Sequence, residues 1–313
     1  MLLTKQKQQV AKMTEIIMRD RNGLTEREFL QKYDASIYER PSVTVDMLIF
    51  TVFDKDQDNY RKLPEKSLQL LLIKRGEHPY LGQWALPGGF VSVRESIEEA
   101  AQRELKSEAN IENLYMEQLF TWGDVGRDPR TRVISSSYMA LVDRTSLDVK
   151  AGDDAEDARW FEVKHQVFQE KKTVLEDGYE FERIIKITLN HETELLAATV
   201  KITTMITGRT RRVSREIVES QGLAFDHAKI IEYAVERLRN KIEYTDIAFH
   251  LMPPLFTLSE LQQVYEVILG KELLAAAFRR KIAPMVTETN EFTKDAGHRP
   301  SKLYRFNPNW ENI

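Results

Sequence analysis

The chain has 313 residues, of which 42% are hydrophobic and 30% charged, and its net charge at neutral pH is −4. This length exceeds that of a typical single domain, so we expect two domains with buried cores. The absence of cysteine excludes disulfides, thiol catalysis and zinc–thiolate sites. Neither a membrane-spanning apolar run nor a signal-peptide pattern is present, so we expect a cytoplasmic protein with no membrane partner.

The first half of the chain predicts a helical extension followed by a sheet. Residues 1–40 are polar and have helical spacing. Beyond them, β-branched and apolar segments predict strands at 42–53, 67–75, 113–122, 132–142 and 158–163. Residues 96–109 have the spacing of a helix, and they follow a Pro-Gly-Gly turn at 87–89.

The second half changes character twice. Two alternating runs, Phe181–Leu189 and Leu195–Ile206, predict a hairpin. The polar, basic segment 208–222 predicts a linker, and helical patterns with a final strand follow it at 226–242, 257–269, 271–286 and 302–306. This order predicts an α+β chain with an N-terminal extension at 1–40, a ligand-binding domain at 41–207, a linker at 208–222 and a DNA-binding domain at 223–313.

The helix predicted at 96–109 presents a cluster of acidic residues. Glu104 and Glu108 lie four residues apart and therefore share one helix face. Hydrolysis of a nucleoside diphosphate needs divalent cations, and Mg²⁺ prefers carboxylate oxygens. These two glutamates are therefore the candidate catalytic and metal-binding residues. Gly88 and Gly89, which lack a Cβ, allow the backbone to pass close to a ligand.

This region resembles the Nudix signature, G-x5-E-x7-R-E-U-x-E-E-x-G-U, where U is aliphatic. The matching positions are Gly89, Glu95, Arg103, Glu104, Leu105, Glu108 and Ile111. Ser107 replaces one glutamate and Asn110 replaces the glycine. In the family the glutamate at the place of Ser107 is a main metal ligand, and a serine hydroxyl binds Mg²⁺ poorly. The resemblance implies an α/β/α sandwich with a mixed sheet, no intact catalytic set, weak Mg²⁺ binding and little or no hydrolysis.

A more specific resemblance extends over most of residues 25–306. The segments that carry it are 38–50, 84–91, 126–141, 151–161, 223–231, 256–270, 278–282 and 297–306. They resemble the Nudix-related transcriptional regulators of NAD metabolism, the NrtR type. The resemblance implies a Nudix domain that binds ADP-ribose or a similar effector, a C-terminal winged helix-turn-helix that binds operator DNA, and a homodimer.

The resemblance also implies a set of ligand-binding residues. These are Arg40, Trp84, Gly88, Gly89, Arg127 and Arg130. Arg127 and Arg130 offer forked donors for pyrophosphate oxygens, and Asp128 can hold one of them in place; the alternative is a solvated turn with a local ion pair. Trp84 is either a core residue or a surface for adenine stacking. Arg40 either reaches the ligand or lies on the surface, and Asp153 and Asp154 are either structural or ligand-binding.

Basic residues are concentrated near the C-terminus. Residues 271–305 contain eight lysines and arginines against four acidic residues. Residues 259–282 predict two helices that meet near Gly270, and residues 290–306 predict a wing. The candidate DNA-binding residues are Arg279, Arg280, Lys281, His298, Arg299 and Lys302. A basic helix can also be an ordinary solvated face, and His298 can form hydrogen bonds within the wing.

These patterns predict a DNA-binding transcriptional regulator, of repressor type, of NAD or related nucleotide or sugar metabolism. ADP-ribose or a similar nucleoside diphosphate derivative would control it from a degenerate Nudix pocket. The alternative is an active Nudix hydrolase, similar to ADP-ribose pyrophosphatase, whose C-terminal domain mediates oligomerisation. A regulator that retains slow hydrolysis is a third reading that the sequence does not separate from the first.

Overall fold

The structure, a computed structural model, describes residues 18–55, 64–109, 115–146, 158–293 and 300–311. The chain divides into two compact units, Met1–Arg40 and Pro41–Ile313. In the first unit, helix α1 (Glu26–Lys32) begins at a capping box between Thr25 and Glu28, and a 3₁₀ turn follows at Ala35–Ile37. The described part of the predicted extension therefore contains one short helix and one turn.

A mixed sheet forms the centre of the second unit. Its strands are β1 (Ser42–Asp54), β2 (Lys66–Lys74), β3 (Trp84–Ala85), β4 (Gly88–Phe90), β5 (Tyr115–Trp122), β6 (Val133–Leu141), β7 (Ala158–Leu175), β8 (Gly178–His191), β9 (Glu194–Thr207) and β10 (Thr210–Gln221). Their order across the sheet is β10-β9-β8-β7-β2-β1-β6-β5, with β3 beside β2 and β4 beside β1. β1 and β6 run parallel, whereas β8 and β9 form the predicted antiparallel hairpin.

Four helices accompany the strands in the described part of this unit. They are α2 (Ile97–Ala109), α3 (His227–Lys241), α4 (Leu258–Leu269) and α5 (Ala275–Ile282). α4 begins at a capping box formed by Thr257 and Glu260. It ends at Gly270, whose φ of +68° lies in the left-handed region that glycine adopts without a steric penalty. None of the helices in the described ranges is long and apolar enough to cross a membrane.

Side chains of the central strand β1 point alternately to the two faces of the sheet, and both faces are buried. Met47 and Ile49 of β1 pack in one hydrophobic cluster with Ala101 of α2. Leu48 and Phe50 belong to a second, larger cluster that includes apolar residues of α3. The sheet thus lies between helices, and the predicted Nudix α/β/α sandwich with a mixed sheet is confirmed.

The segment predicted as a linker is a strand. Residues 210–221 form β10, which pairs with β9 along almost its whole length, so the prediction of a linker at 208–222 is wrong. β10 is the edge strand, and most of its side chains are exposed. An exposed edge strand has no need of the alternating apolar residues by which a buried strand is identified.

The C-terminal helices and two further strands form the predicted winged helix-turn-helix. α5 packs on α4 through Phe278 and Tyr265, whose ring centroids lie 5.2 Å apart in an edge-to-face arrangement. β11 (Val286–Phe292) and β12 (Lys302–Phe306) pair antiparallel as the wing. The predicted wing tip lies outside the described residues.

Candidate functional site

A cavity of about 170 Å³ opens beside the central strand of the Nudix sheet. Its walls come from β1, β4, the loop that carries Arg127 and Arg130, and the segment between β10 and α3. Its charged and ionisable lining residues are Asp46, Arg75, Arg127, Asp128, Arg130 and His227. Phe90 and Phe225 add aromatic rings, so the cavity combines positive charge with apolar faces.

The two predicted glycines bring β4 close to its neighbours. A Cβ added to Gly88 would lie 2.2 Å from the carbonyl oxygen of Val45, and one added to Gly89 would lie 2.3 Å from Oε1 of Glu104. A side chain at either position would therefore displace β1 or the carboxylate of α2. Both glycines line the cavity, as a close approach of ligand and backbone requires.

Arg130 is held in position and remains accessible. Its Nε and Nη2 donate to the two carboxylate oxygens of Asp128 at 3.0 and 2.7 Å. Hydrogen bonds from Arg130 hold the pKa of Asp128 below its usual value. The guanidinium lies 5.3 Å from the ring centroid of Phe90, and 42% of the Arg130 side chain is exposed. This geometry leaves an oriented cation available for an anionic ligand.

Arg75, which lies outside every recognised motif of the sequence, is a second cation of the cavity. Its Nε donates to the carbonyl oxygen of Pro79 at 2.7 Å, and its guanidinium lies 4.9 Å from the ring centroid of Phe225. Burial, together with the positive charge of Arg130, lowers the pKa of the Arg75 guanidinium. Arg75 and Arg130 both lie over the ring of Phe225. Because their positive charges repel each other, an anion bound between them would be stabilised, and their forked donors suit phosphate oxygens.

Arg127 lines the same cavity but is already engaged. Only 6% of its side chain is exposed, and it donates to both carboxylate oxygens of Asp226 at 2.8 and 3.1 Å. Its Nη2 also lies 3.2 Å from Oδ2 of Asp46, which accepts a hydrogen bond of 2.5 Å from the hydroxyl of Ser135. Arg127 therefore connects the Nudix sheet to the residues that precede α3.

His227 makes a second connection between the same regions. The backbone amide of Leu86 donates to Nδ1 of His227 at 2.9 Å, so the ring proton resides on Nε2, which lies 3.8 Å from Oδ1 of Asp46. Burial lowers the pKa of His227, and the imidazole is neutral at pH 7. In the sequence, Asp46 is a single acidic residue in an apolar strand, and Asp226 and His227 are two polar residues at the start of a helix. Neither pattern indicates a site, and only the fold brings the three residues together.

Another predicted ligand residue, Trp84, belongs to the hydrophobic core. Trp84 is 2% exposed and packs edge-on against Phe161, with 4.8 Å between ring centroids; it does not line the cavity. The structure thus supports the core alternative for Trp84 and not the adenine-stacking surface. Arg40 belongs to the first unit, where its Nε donates to the carbonyl oxygen of Ala35 at 3.0 Å. Asp153 and Asp154 lie outside the described residues.

The acidic helix α2 is organised around Arg103. This arginine donates to both carboxylate oxygens of Glu95 at 2.8 and 3.1 Å and also contacts the carboxylate of Glu104. Its hydrogen bonds lower the pKa of Glu95 to about 2. The Ser107 hydroxyl donates to the backbone carbonyl of Glu104 at 3.1 Å. The side chain of Glu108 lies outside the described part of the structure.

These contacts bear on metal binding. Glu104 and Glu95 already share one guanidinium, and Ser107 supplies no carboxylate. Across the residues that the structure describes, no group of three or more acidic or histidine side chains could hold a metal ion. The described donors therefore do not fit a centre with several metal ions.

The predicted DNA-contacting helix presents its basic residues to solvent. Arg279, Arg280 and Lys281 of α5 are exposed. Neither arginine forms an ion pair with any residue in the described ranges, while Nζ of Lys281 lies 5.5 Å from the ring centroid of Tyr265. Lys302 of the wing pairs with Glu288 on the neighbouring strand. The predicted residues His298 and Arg299 lie outside the described residues.

Comparisons with known proteins agree with this architecture. Residues 48–181 match the NUDIX domain, and residues 248–306 match the NrtR DNA-binding winged helix domain. The chain is 34% identical over 288 residues to the ADPR responsive transcriptional repressor NtrR of Acinetobacter baylyi, covering 91% of this chain and 90% of the relative.

Two solved structures resemble most of the chain. A MutT/nudix family protein from Enterococcus faecalis has 29% identity and a TM-score of 0.63, covering 91% of this chain and 94% of that one. NrtR of Shewanella oneidensis, crystallised with a 27mer DNA, has 27% identity and a TM-score of 0.56, covering 85% of this chain and 94% of that one. The chain combines a Nudix domain with this winged helix, and a repressor matches it along nearly its full length. The chain therefore belongs to the NrtR family of transcriptional regulators.

Proposed function

We propose that this protein is a cytoplasmic transcriptional repressor that binds operator DNA through its winged helix and binds ADP-ribose in its Nudix cavity. The observation that carries the proposal is a cavity with two converging arginines in the same compact unit as an exposed basic helix. The relative from Acinetobacter baylyi is named as ADPR-responsive, and the Shewanella oneidensis relative was crystallised with DNA. Its targets would be genes of NAD or related nucleotide or sugar metabolism.

The cavity has the chemistry that a nucleoside diphosphate requires. Arg75 and Arg130 supply forked donors for pyrophosphate oxygens, and Asp128 fixes the orientation of Arg130. The rings of Phe90 and Phe225 supply apolar faces for a sugar or a base. Gly88 and Gly89 keep this wall free of side chains. Arg127 also lines the cavity, where it holds the carboxylate of Asp226.

The DNA-binding part of the proposal rests on α5 and the wing. We propose that a homodimer places two α5 helices in successive major grooves of a palindromic operator, with half-sites about 10–10.5 base pairs apart or a multiple of that spacing. Arg279 and Arg280 would read bases or contact phosphates. His298, Arg299 and Lys302 would contact the backbone or the minor groove from the wing.

Replacement of Arg280 tests the DNA-binding role. In the full chain, Arg280→Ala should weaken binding to the operator by about 1–3 kcal/mol and reduce its sequence preference. Lys271→Ala is the matched control, because Lys271 is exposed in the same region but lies outside α5 and pairs with Glu243. Fluorescence anisotropy with genomic duplexes at several salt concentrations measures both. A wild-type chain without salt-dependent affinity for any genomic fragment would refute the proposal.

Hydrolysis is proposed to be weak or absent. Nudix domains generally use divalent metal ions, and Glu104 with Glu108 would hold at most one Mg²⁺ weakly here. Ser107→Glu should therefore raise ADP-ribose hydrolysis in the presence of Mg²⁺, whereas Ser107→Ala should not, because only glutamate adds the missing carboxylate. Wild-type turnover at an ordinary enzymatic rate, about 1–10³ per second, would favour the alternative of an active hydrolase with a C-terminal oligomerisation domain.

A further inference from the structure

Asp226 occupies an unusual place at the start of α3. It is the N-cap residue of this helix, yet its carboxylate accepts no capping hydrogen bond. An aspartate at an N-cap ordinarily accepts a hydrogen bond from an amide in the first helical turn. Here both carboxylate oxygens are bound by Arg127 instead. The start of α3 thus lacks its side-chain cap because Arg127 holds the capping group.

The residue before it is also in an unfavourable conformation. Phe225 has a φ of +52°, in the left-handed region that a bulky side chain rarely adopts. Phe225 lines the cavity, as does His227 on the other side of Asp226. The contact between Asp226 and Arg127 therefore secures a turn whose backbone would not adopt this conformation unaided, directly beside the proposed ligand.

The charges around the cavity make this contact sensitive to an anion. Asp46 and Asp226 share the single guanidinium of Arg127, and His227 is neutral, so this group carries one net negative charge. A pyrophosphate drawn to Arg75 and Arg130 would approach a guanidinium that two carboxylates already occupy. Like charges repel, and this repulsion becomes stronger as a bound ligand displaces water.

Of the two carboxylates, Asp226 is the one that can leave. Asp46 lies on the central strand β1 and also accepts a hydrogen bond from the hydroxyl of Ser135. Among the described residues, the carboxylate of Asp226 is hydrogen-bonded to Arg127 alone. The amides of His227 and Lys229 in the first turn of α3 already donate to the backbone carbonyls of Ala224 and Asp226, so a released carboxylate would turn to the amide of Ala228, at a position where N-cap side chains ordinarily accept.

α3 connects this turn to the winged helix. Near its C-terminal end, Nε of Arg239 donates to the carbonyl oxygen of Ile268 in α4 at 2.8 Å. Nη1 of the same guanidinium lies 2.8 Å from Nδ1 of His165 on β7. A change at the start of α3 therefore acts on a helix whose other end is hydrogen-bonded to α4 of the helix-turn-helix.

We infer that Asp226 is an internal competitor of the ligand's phosphate groups for Arg127, and that ligand binding transfers the Asp226 carboxylate from Arg127 to the N-terminus of α3. This inference rests on the proposed function, and it identifies Asp226 as the residue that changes its partner when ligand binds in the cavity. In the unliganded protein Asp226 takes the position of an anion, and in the liganded protein it caps the helix.

The test compares two aspartate-to-asparagine variants of the full-length protein, titrated calorimetrically with ADP-ribose and with inorganic pyrophosphate. Asp226→Asn removes the competing charge and should tighten the binding of both probes roughly tenfold. Asp128→Asn, the matched control, loosens the hold on Arg130 and should weaken both. Without ligand, Asp226→Asn should also shift operator affinity toward the value of the liganded wild type, an effect that a purely structural role would not produce.

The calorimetric results distinguish a failure of the proposed competition from a failure of the proposed function. Unchanged or weaker ADP-ribose binding by Asp226→Asn, with normal binding by the wild type, overturns the competition and leaves the proposed function intact. A wild type that binds neither probe refutes the proposed function and this inference together. If Asp226→Asn does not fold, Asp226→Ser replaces it under the same criterion, because serine is an equally good N-cap residue without the charge.

Discussion

Two arginines three positions apart, Arg127 and Arg130, have different roles. The sequence around them predicts two equivalent donors for pyrophosphate. In the structure 42% of the Arg130 side chain is exposed, against 6% for Arg127, which is bound by Asp226, a residue 99 positions away. The sequence could predict which loop forms the cavity. It could not predict which arginine is accessible in the unliganded cavity, because the distant carboxylate of Asp226 covers Arg127.

At Arg130 the expected effect of substitution is a loss of ligand affinity. Arg130→Ala should weaken ADP-ribose binding by about 1.5–3 kcal/mol, the usual contribution of hydrogen bonds to a charged group. Arg132→Ala serves as the control, since Arg132 lies in the same loop but donates to the carbonyl oxygens of Gly123 and Asp124 and does not line the cavity. Calorimetry that finds equal affinities for these two variants would exclude Arg130 as a ligand contact.

Among the elements, the buried strands β1 and β2 and the exposed helix α1 were predicted, whereas the exposed strand β10 was not. β1 and β2 are mostly β-branched or apolar along their buried lengths, with Asp46, Ser67 and Gln69 as exceptions, and both were predicted within a few residues of their ends. β10 is an edge strand whose side chains are mostly polar and exposed, so its sequence shows little strand periodicity. Gly270 marked the junction of the two helices of the helix-turn-helix, and the structure shows that it ends α4.

The junction at Gly270 allows a test of how α3 and α4 are joined. Gly270→Ala and Gly82→Ala both place a side chain in the left-handed region, at φ +68° and +79°, which costs roughly 1–2 kcal/mol. A Cβ at Gly270 would also lie 3.0 Å from Nη2 of Arg239, whereas Gly82 faces open space. Urea denaturation should therefore show a larger loss of unfolding free energy for Gly270→Ala. Equal losses would mean that Arg239 yields freely and does not fix this junction.

For the whole molecule, the two predicted functional halves are packed together as one unit. Pro41–Ile313 is compact, although the sequence suggested a boundary near residue 222. α3 lies against the Nudix sheet through ion pairs of Arg183 and Arg215 with Glu236 and of Arg215 with the buried Glu232. The sequence indicated both functions through their motifs. It could not indicate this shared packing, which depends on contacts between residues far apart in the chain.

In the proposed regulator, occupancy of the Nudix cavity controls DNA binding. Fluorescence anisotropy of the full-length protein, without ADP-ribose and with saturating ADP-ribose, measures the operator affinity in the two states. We expect ADP-ribose to change operator affinity by about 5- to 150-fold, the usual range for coupling between two binding sites. If operator affinity is identical in both conditions, in a protein shown by calorimetry to bind ADP-ribose, the cavity does not control DNA binding.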